Sequence, residues 1–109
     1  MSAVARRQRG AERRIASERI GILFRLAEER ALARDFSHAN RYTGLALRIG
    51  TRYNVRIPRE FRRRFCRACH TYLLPSVNCR VRVRQGRVTI TCGACGAVRR
   101  IPYLREKAQ

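Results

Sequence analysis

Residues 66–69 read Cys-Arg-Ala-Cys and residues 92–95 read Cys-Gly-Ala-Cys, with twenty-two residues between the two pairs. Two CxxC turns separated by a hairpin-length insert have the spacing of a four-thiolate zinc site, since each tight turn points two sulfurs at one ion. The expected ligands are Cys66, Cys69, Cys92 and Cys95, holding one Zn²⁺. Gly96, directly after Cys95, suits the positive φ such a loop needs. Four thiolates close the tetrahedron and leave no position for a substrate, so the metal's role is structural. Disulfides or a redox CxxC are the alternatives. Five cysteines leave one over, no leader sequence signals an oxidising compartment, and both pairs abut strand-like sequence instead of opening a helix.

The insert between the pairs is a hairpin. Cys79-Arg80-Val81-Arg82-Val83-Arg84 alternates, Gln85-Gly86 turns, and Arg87-Val88-Thr89-Ile90-Thr91-Cys92 alternates again. A two-residue loop pairs Val83 with Val88 and Val81 with Ile90 on one face, the expected core. The other face pairs Arg84 with Arg87, Arg82 with Thr89 and Arg80 with Thr91. Facing like charges destabilise a sheet, a cost that bound phosphates would offset. Cys79 falls opposite Cys92 and reads as a small buried hydrophobe, or as a spare thiol close to the metal. His70 is a conceivable substitute ligand. A third strand, Ala97 to Ile101, carries Arg99 and Arg100 and stops at Pro102.

Upstream of the first pair lies a connector, residues 51–65. Tyr53, Val55 and Ile57 alternate with polar residues, which predicts an extended segment ending at Pro58. Arg59-Glu60-Phe61-Arg62-Arg63-Arg64-Phe65 follows, a basic run with interleaved aromatics. A solvated face is one reading of such a run. Its fixed place beside the metal site favours phosphate contact.

Further out, residues 12–34 predict a helix, rich in Ala, Leu, Glu and Arg and free of Pro. Its apolar residues, from Ile15 through Ala33 and including Ile20, Leu23, Phe24, Leu26 and Ala27, cover an arc of roughly 200° at 100° per residue. One buried face needs only about 100° or somewhat more. The surplus implies a second contact with another protein, or a helix sunk deeper in its own fold. Ser37 is a plausible N-cap for a second helix over 38–49, whose stripe includes Tyr42, Leu45 and Ile49 and which Gly50 ends. The pair predicts an antiparallel hairpin with His38 exposed near the join. The expected architecture is α+β: a basic disordered tail (1–11), a two-helix hairpin (12–50), a basic extended connector (51–65), a three-stranded antiparallel zinc ribbon (66–104) and a short tail (105–109).

Composition narrows the function. The 109 residues carry 26 basic and 7 acidic side chains, a formal net charge of +19. Residues 51–109 hold 15 of the basic and 2 of the acidic groups, so the cysteine half is the expected nucleic-acid face. All the basic residues except Lys107 are Arg, which grips phosphate bidentately and stacks on bases. No apolar run is long enough to span a bilayer. With no leader either, the expected location is the cytoplasm, with no membrane partner and no small-molecule substrate. No paired carboxylates and no His or Ser arrangement suit catalysis.

From Ser17-Glu18-Arg19-Ile20 through Arg41-Tyr42, Val55-Arg56-Ile57-Pro58-Arg59-Glu60 and Phe65-Cys66, the chain resembles the archaeal ribonuclease P protein component 4 family. The resemblance continues through Pro75, Asn78, Arg80-Val81-Arg82, Thr91-Cys92 and Cys95-Gly96 to Arg99-Arg100-Ile101-Pro102. Two departures concern turns: His70 and Ser76 stand where family members often have Gly. The resemblance implies a subunit of the ribonucleoprotein that removes the 5′ leader from precursor tRNA, with catalysis supplied by the RNA subunit. It also implies a small barrel-type protein partner bound through the N-terminal helices. The expected partner-facing residues are Ile20, Leu23, Phe24, Leu26, Ala27, Tyr42, Leu45 and Ile49. The expected RNA-binding residues are Arg59, Arg62, Arg63, Arg64, Arg67, Arg80, Arg82, Arg84, Arg87, Arg99 and Arg100, toward ribonuclease P RNA and precursor tRNA. A zinc-ribbon module of the ribosome or transcription apparatus is the alternative.

Overall fold

The computed structural model describes residues 3–102. The C-terminal tail expected at 105–109 lies outside the described residues. Helix α1 runs Ala3–Leu32 and α2 Phe36–Tyr53, a short turn of helix α3 spans Arg59–Arg62, and strands β1 (Cys79–Arg84), β2 (Arg87–Cys92) and β3 (Val98–Pro102) follow.

Both main helices are longer than expected. The stretch expected as a disordered tail is helical from Ala3, because Ala, Arg and Gln are good helix formers and Gly10 alone does not interrupt them. Arg34 takes φ 65° at the join. Asp35, not Ser37, caps α2: its carboxylate accepts from the His38 backbone N–H at 3.3 Å and lies 2.8 Å from His38 Nδ1. That backbone bond is the main reason the Asp35 carboxyl sits below its ordinary range. Gly50 does not end α2. It is buried where the chain doubles back, and a Cβ there would sit 3.0 Å from the Val55 carbonyl oxygen. Asn54, left-handed at φ 53°, ends the helix instead.

The helices pack along a seam of small residues, with Ala27 and Ala31 of α1 and Ala39 and Ala46 of α2 all fully buried. Past its extended part, which ends at Pro58, the connector turns through α3 into this core. Phe61 and Phe65 are four residues apart, and both rings meet Phe24, at 4.8 Å (stacked) and 5.8 Å. Tyr72, just past the first cysteine pair, joins the same core. This consumes part of the wide arc on α1. Ile20, Phe24 and Ala27, expected to face a partner, are each 0% exposed inside the chain's own fold. Leu23, Tyr42 and Ile49 pack partly buried against the same core, and Leu26 is half-buried. Among the described residues the exposed large apolar side chains of the two helices are Ile15, Ile22 and Leu32 on α1 and Leu45 on α2.

The sheet order is β1-β2-β3, antiparallel throughout, in the register read from the alternation: Val83 opposite Val88, Val81 opposite Ile90 and Cys79 opposite Cys92. Gln85 and Gly86 both have positive φ, as a type I′ turn requires. One expectation fails. Val81 and Val83 are 42% and 65% exposed, because β1 is an edge strand and, among the described residues, the second core closes over Cys66, Leu73, Cys79, Ile90 and Cys92 without reaching them.

Candidate metal centre and nucleic-acid interface

The two cysteine turns are built alike. In the first, the His70 N–H donates to the Cys66 carbonyl at 2.7 Å, and the Cys66 N–H donates to the Thr71 carbonyl at 2.9 Å. In the second, Gly96 N–H to Cys92 carbonyl and Cys92 N–H to Ala97 carbonyl are each 2.9 Å. His70 (φ 61°) therefore holds the left-handed place that Gly96 (φ 77°) holds in the other turn. It is a turn residue at a strained position, and the described metal-capable cluster consists of four cysteines without it. Ser76 is also left-handed, at φ 69°. Both departures from glycine keep the turn and bear its conformational cost.

The ligand atoms of Cys66, Cys69, Cys92 and Cys95 all lie within 4.8 Å of one another. Sγ–Sγ separations are 3.5 Å for Cys66–Cys95 and 3.7 Å for Cys69–Cys92. A tetrahedron with metal–sulfur bonds of about 2.3 Å has edges of about 3.8 Å, so the four sulfurs are placed to hold a metal ion. All five cysteines are free thiols. The hydroxyl of Thr71, 3.1 Å from Cys69 Sγ, is the main cause that pulls the Cys69 thiol down to about 6. For Cys95 the Ala97 backbone N–H pulls downward, but the neighbouring Cys66 sulfur, burial, and the Cys69 and Cys92 sulfurs together push it up to about 12. A divalent cation held among these sulfurs would favour the thiolate at Cys95 as well as at Cys69.

Cys79 lies outside the four-sulfur cluster, and burial, then the charge at Cys92, pushes its thiol upward. Cys79→Ala is expected to keep full metal content, with a stability loss of about 1 kcal/mol from one buried sulfur. Metal analysis and thermal melting check this, and substoichiometric metal would make Cys79 a ligand.

The turns are tied to the rest of the chain by groups that the sequence reading missed. Asn78 Oδ1 accepts from the Leu74 N–H at 2.7 Å while its Nδ2 donates to the Tyr72 carbonyl at 2.6 Å. The Asn78 carbonyl accepts from the Gly93 N–H at 2.8 Å. A Cβ on Gly93 would stand 2.6 Å from that oxygen, so the close approach requires glycine. Asn40 Oδ1, on α2, accepts from the Tyr72 N–H at 2.8 Å, and Glu28, on α1, pairs with Arg64 at 3.0 Å. The sequence signal was slight: only Asn78, between Val77 and Cys79, stands as a polar residue among apolar neighbours.

The eleven arginines named from sequence divide into two groups. Arg62 Nε donates to the Ile57 carbonyl at 2.9 Å, and Arg99 Nη1 donates to the Arg62 carbonyl at 2.7 Å. Arg64 pairs with Glu28 and lies over the Phe61 ring. These three, like half-buried Arg63, are held close to the protein body. Arg59, Arg67, Arg80, Arg82, Arg84, Arg87 and Arg100 are exposed. Five of them share one face, because register places Arg84 opposite Arg87, Arg80 opposite Thr91, Arg82 opposite Thr89, and Thr89 opposite Arg100. The other face carries the second core.

A closed four-cysteine cluster at the base of an arginine-covered sheet, carried on a helical hairpin, defines a basic cysteine-ribbon protein. The model of the RNAse P Rpr2/Rpp21/SNM1 subunit domain family matches residues 19–96, and the chain belongs to that family. It is 49% identical over 107 residues to ribonuclease P protein component 4 of Thermococcus sibiricus, covering 95% of this chain and 88% of the relative. With the protein of the same name from Pyrococcus horikoshii it shares 50% over 101 residues, covering 90% and 83%. Among solved structures, a chain of the archaeal ribonuclease P complex with mature tRNA superposes with a TM-score of 0.79 at 46% identity, covering 86% of this chain and 81% of that one. The structure described as Pfu Rpp21 gives 0.59 at 43% identity, covering 79% and 97%.

Proposed function

We propose that the chain is an RNA-binding protein subunit of ribonuclease P, acting in removal of the 5′ leader from precursor tRNA. The observation that carries this reading is its similarity, over most of its length, to a chain of archaeal ribonuclease P with tRNA. The chemistry of the described residues agrees. Their charged groups are overwhelmingly arginine, and the clustered metal-capable groups are the four cysteines. The RNA subunit then supplies the catalysis, while this chain positions RNA. One Zn²⁺ held by Cys66, Cys69, Cys92 and Cys95 would cross-link the two turns and supply no reactive position. The open sheet face, with Arg80, Arg82, Arg84, Arg87 and Arg100, is assigned to phosphate contact. The helical pair is assigned to a small barrel-type protein subunit, through Ile15, Ile22 and Leu45 with the edges of Leu23 and Leu26. No helix among the described residues is long and apolar enough to cross a membrane, and the reading places the chain in the cytoplasm.

Sequencing the RNA that co-purifies with tagged full-length chain tests the assignment. Enrichment of ribonuclease P RNA is expected, together with tRNA 5′-processing activity in the eluate. Enrichment of ribosomal RNA, or of a polymerase, would instead identify a ribbon module of those machines.

A further inference from the structure

A cleft of about 430 Å³ lies between the first cysteine turn and the sheet. Its walls are of two kinds. Phe65, Leu73, Ile90 and Ala97 give an apolar floor, while Arg63, Arg67 and Arg99 stand around it, with no acidic residue among the described lining. The volume falls in the range of roughly 300–1,000 Å³ typical of small-ligand sites. Cations have been gathered here at a cost. Arg99 is held in place by its bond to the Arg62 carbonyl, and burial, then the charges of Arg67, Arg63 and Arg62, draws its pKa below the usual value. Such crowding is relieved by an anion. An anion alone, however, would not use the apolar floor. A group with a flat apolar part and an attached negative charge uses both.

We propose that this cleft receives one unpaired nucleotide of RNA, with its base against the apolar floor and its phosphate among the arginines. The proposal rests on the RNA-binding reading and deepens it. The exposed sheet face can only track a backbone, whereas the cleft requires a base that is free of its helix. Proteins commonly read RNA by splaying out such bases and stacking them on aromatic or guanidinium planes. Here Arg67, exposed at the mouth, supplies a guanidinium that can close over the base. The nucleotide can come from ribonuclease P RNA or from precursor tRNA; the recognising chemistry is the same.

Two substitutions fill the cleft without changing charge: Ala97→Leu from the sheet side and Ala68→Leu from the exposed turn. The metal-loaded full-length chain is titrated with a single-stranded oligouridylate and with the same oligomer carrying one abasic residue. Loss of one stacked base weakens binding by about tenfold. Each filled variant should therefore bind the intact oligomer about tenfold less tightly, with an unchanged salt slope and full metal content, and should no longer distinguish the abasic oligomer. If both variants hold metal yet bind the intact oligomer like the parent, the cleft is no base site and the proposal is overturned, while RNA binding itself stands. If the parent binds neither oligomer, the RNA-binding reading fails as well. In the reconstituted particle, a benzoylphenylalanine cross-linker placed at Ala68 should reach RNA. Cross-links to the RNA subunit or to tRNA both support the proposal and identify the source, whereas cross-links to protein alone overturn it.

Discussion

Cys92→Ser is expected to remove the bound metal and unfold the ribbon, residues 66–102, while leaving α1 and α2 helical. Structural zinc in small domains binds with an apparent free energy of about 10–16 kcal/mol, and that energy is folding energy. The ribbon has little else to replace it. Among the described residues its second core buries Cys66, Leu73, Cys79, Ile90 and Cys92, and three of these five are cysteines. The helical pair rests on a larger core built around Phe24, in which Tyr72 is the ribbon's one buried member. Metal analysis should show loss of the ion, and circular dichroism should show loss of β signal with helical signal retained. The parent treated with a strong chelator should behave alike. A ribbon that keeps its β signal without metal would refute the structural role.

The second large effect concerns salt. Replacing Arg80, Arg82 and Arg84 together by Ala should lower the slope of log affinity against log salt by roughly 2 to 3, since each phosphate contact contributes about 0.7 to 0.9. Binding should weaken for many RNA sequences alike, because phosphate contacts position without specifying. The variant should fold and hold metal normally. All three side chains are exposed, and the change removes the Arg84–Arg87 apposition across the strands. In the reconstituted enzyme the loss should fall on RNA or substrate affinity rather than on the chemical step. An unaltered slope would mean that the RNA lies elsewhere on the molecule. Arg62, Arg63 and Arg64 make a poorer test: Arg62 braces a backbone carbonyl and Arg64 pairs with Glu28, so their loss mixes packing with binding.

The ribbon was legible in sequence to a degree the rest was not. Strand alternation has a period of two, and Gln85-Gly86 can sit in one kind of turn, so the register followed directly. The cysteine cluster was equally plain, because four thiols at that spacing have few other uses. The connector was legible only in part, as far as Pro58. Phe61 and Phe65 are spaced for a helix, but arginines on every side disguised them as a charged strip, and only the folded chain brings both rings to Phe24. The wide arc on α1 had two explanations. Three dimensions divide it, with Ile20, Phe24 and Ala27 going inward and Ile15 and Ile22 remaining outside. Val81 and Val83 show the opposite error: alternation says which residues share a face, but not whether anything covers it. Charge patterning likewise found the arginines without separating those that brace the backbone from those that face solvent.

The two cysteine turns are matched in depth as well as in hydrogen bonding: each contributes one buried cysteine, Cys66 or Cys92, and one exposed cysteine, Cys69 or Cys95. One ion held by all four would rest on Cys66 and Cys92 and show solvent a rim of one residue from each turn, Cys69 and Cys95, so a chelator would reach both turns together instead of one after the other.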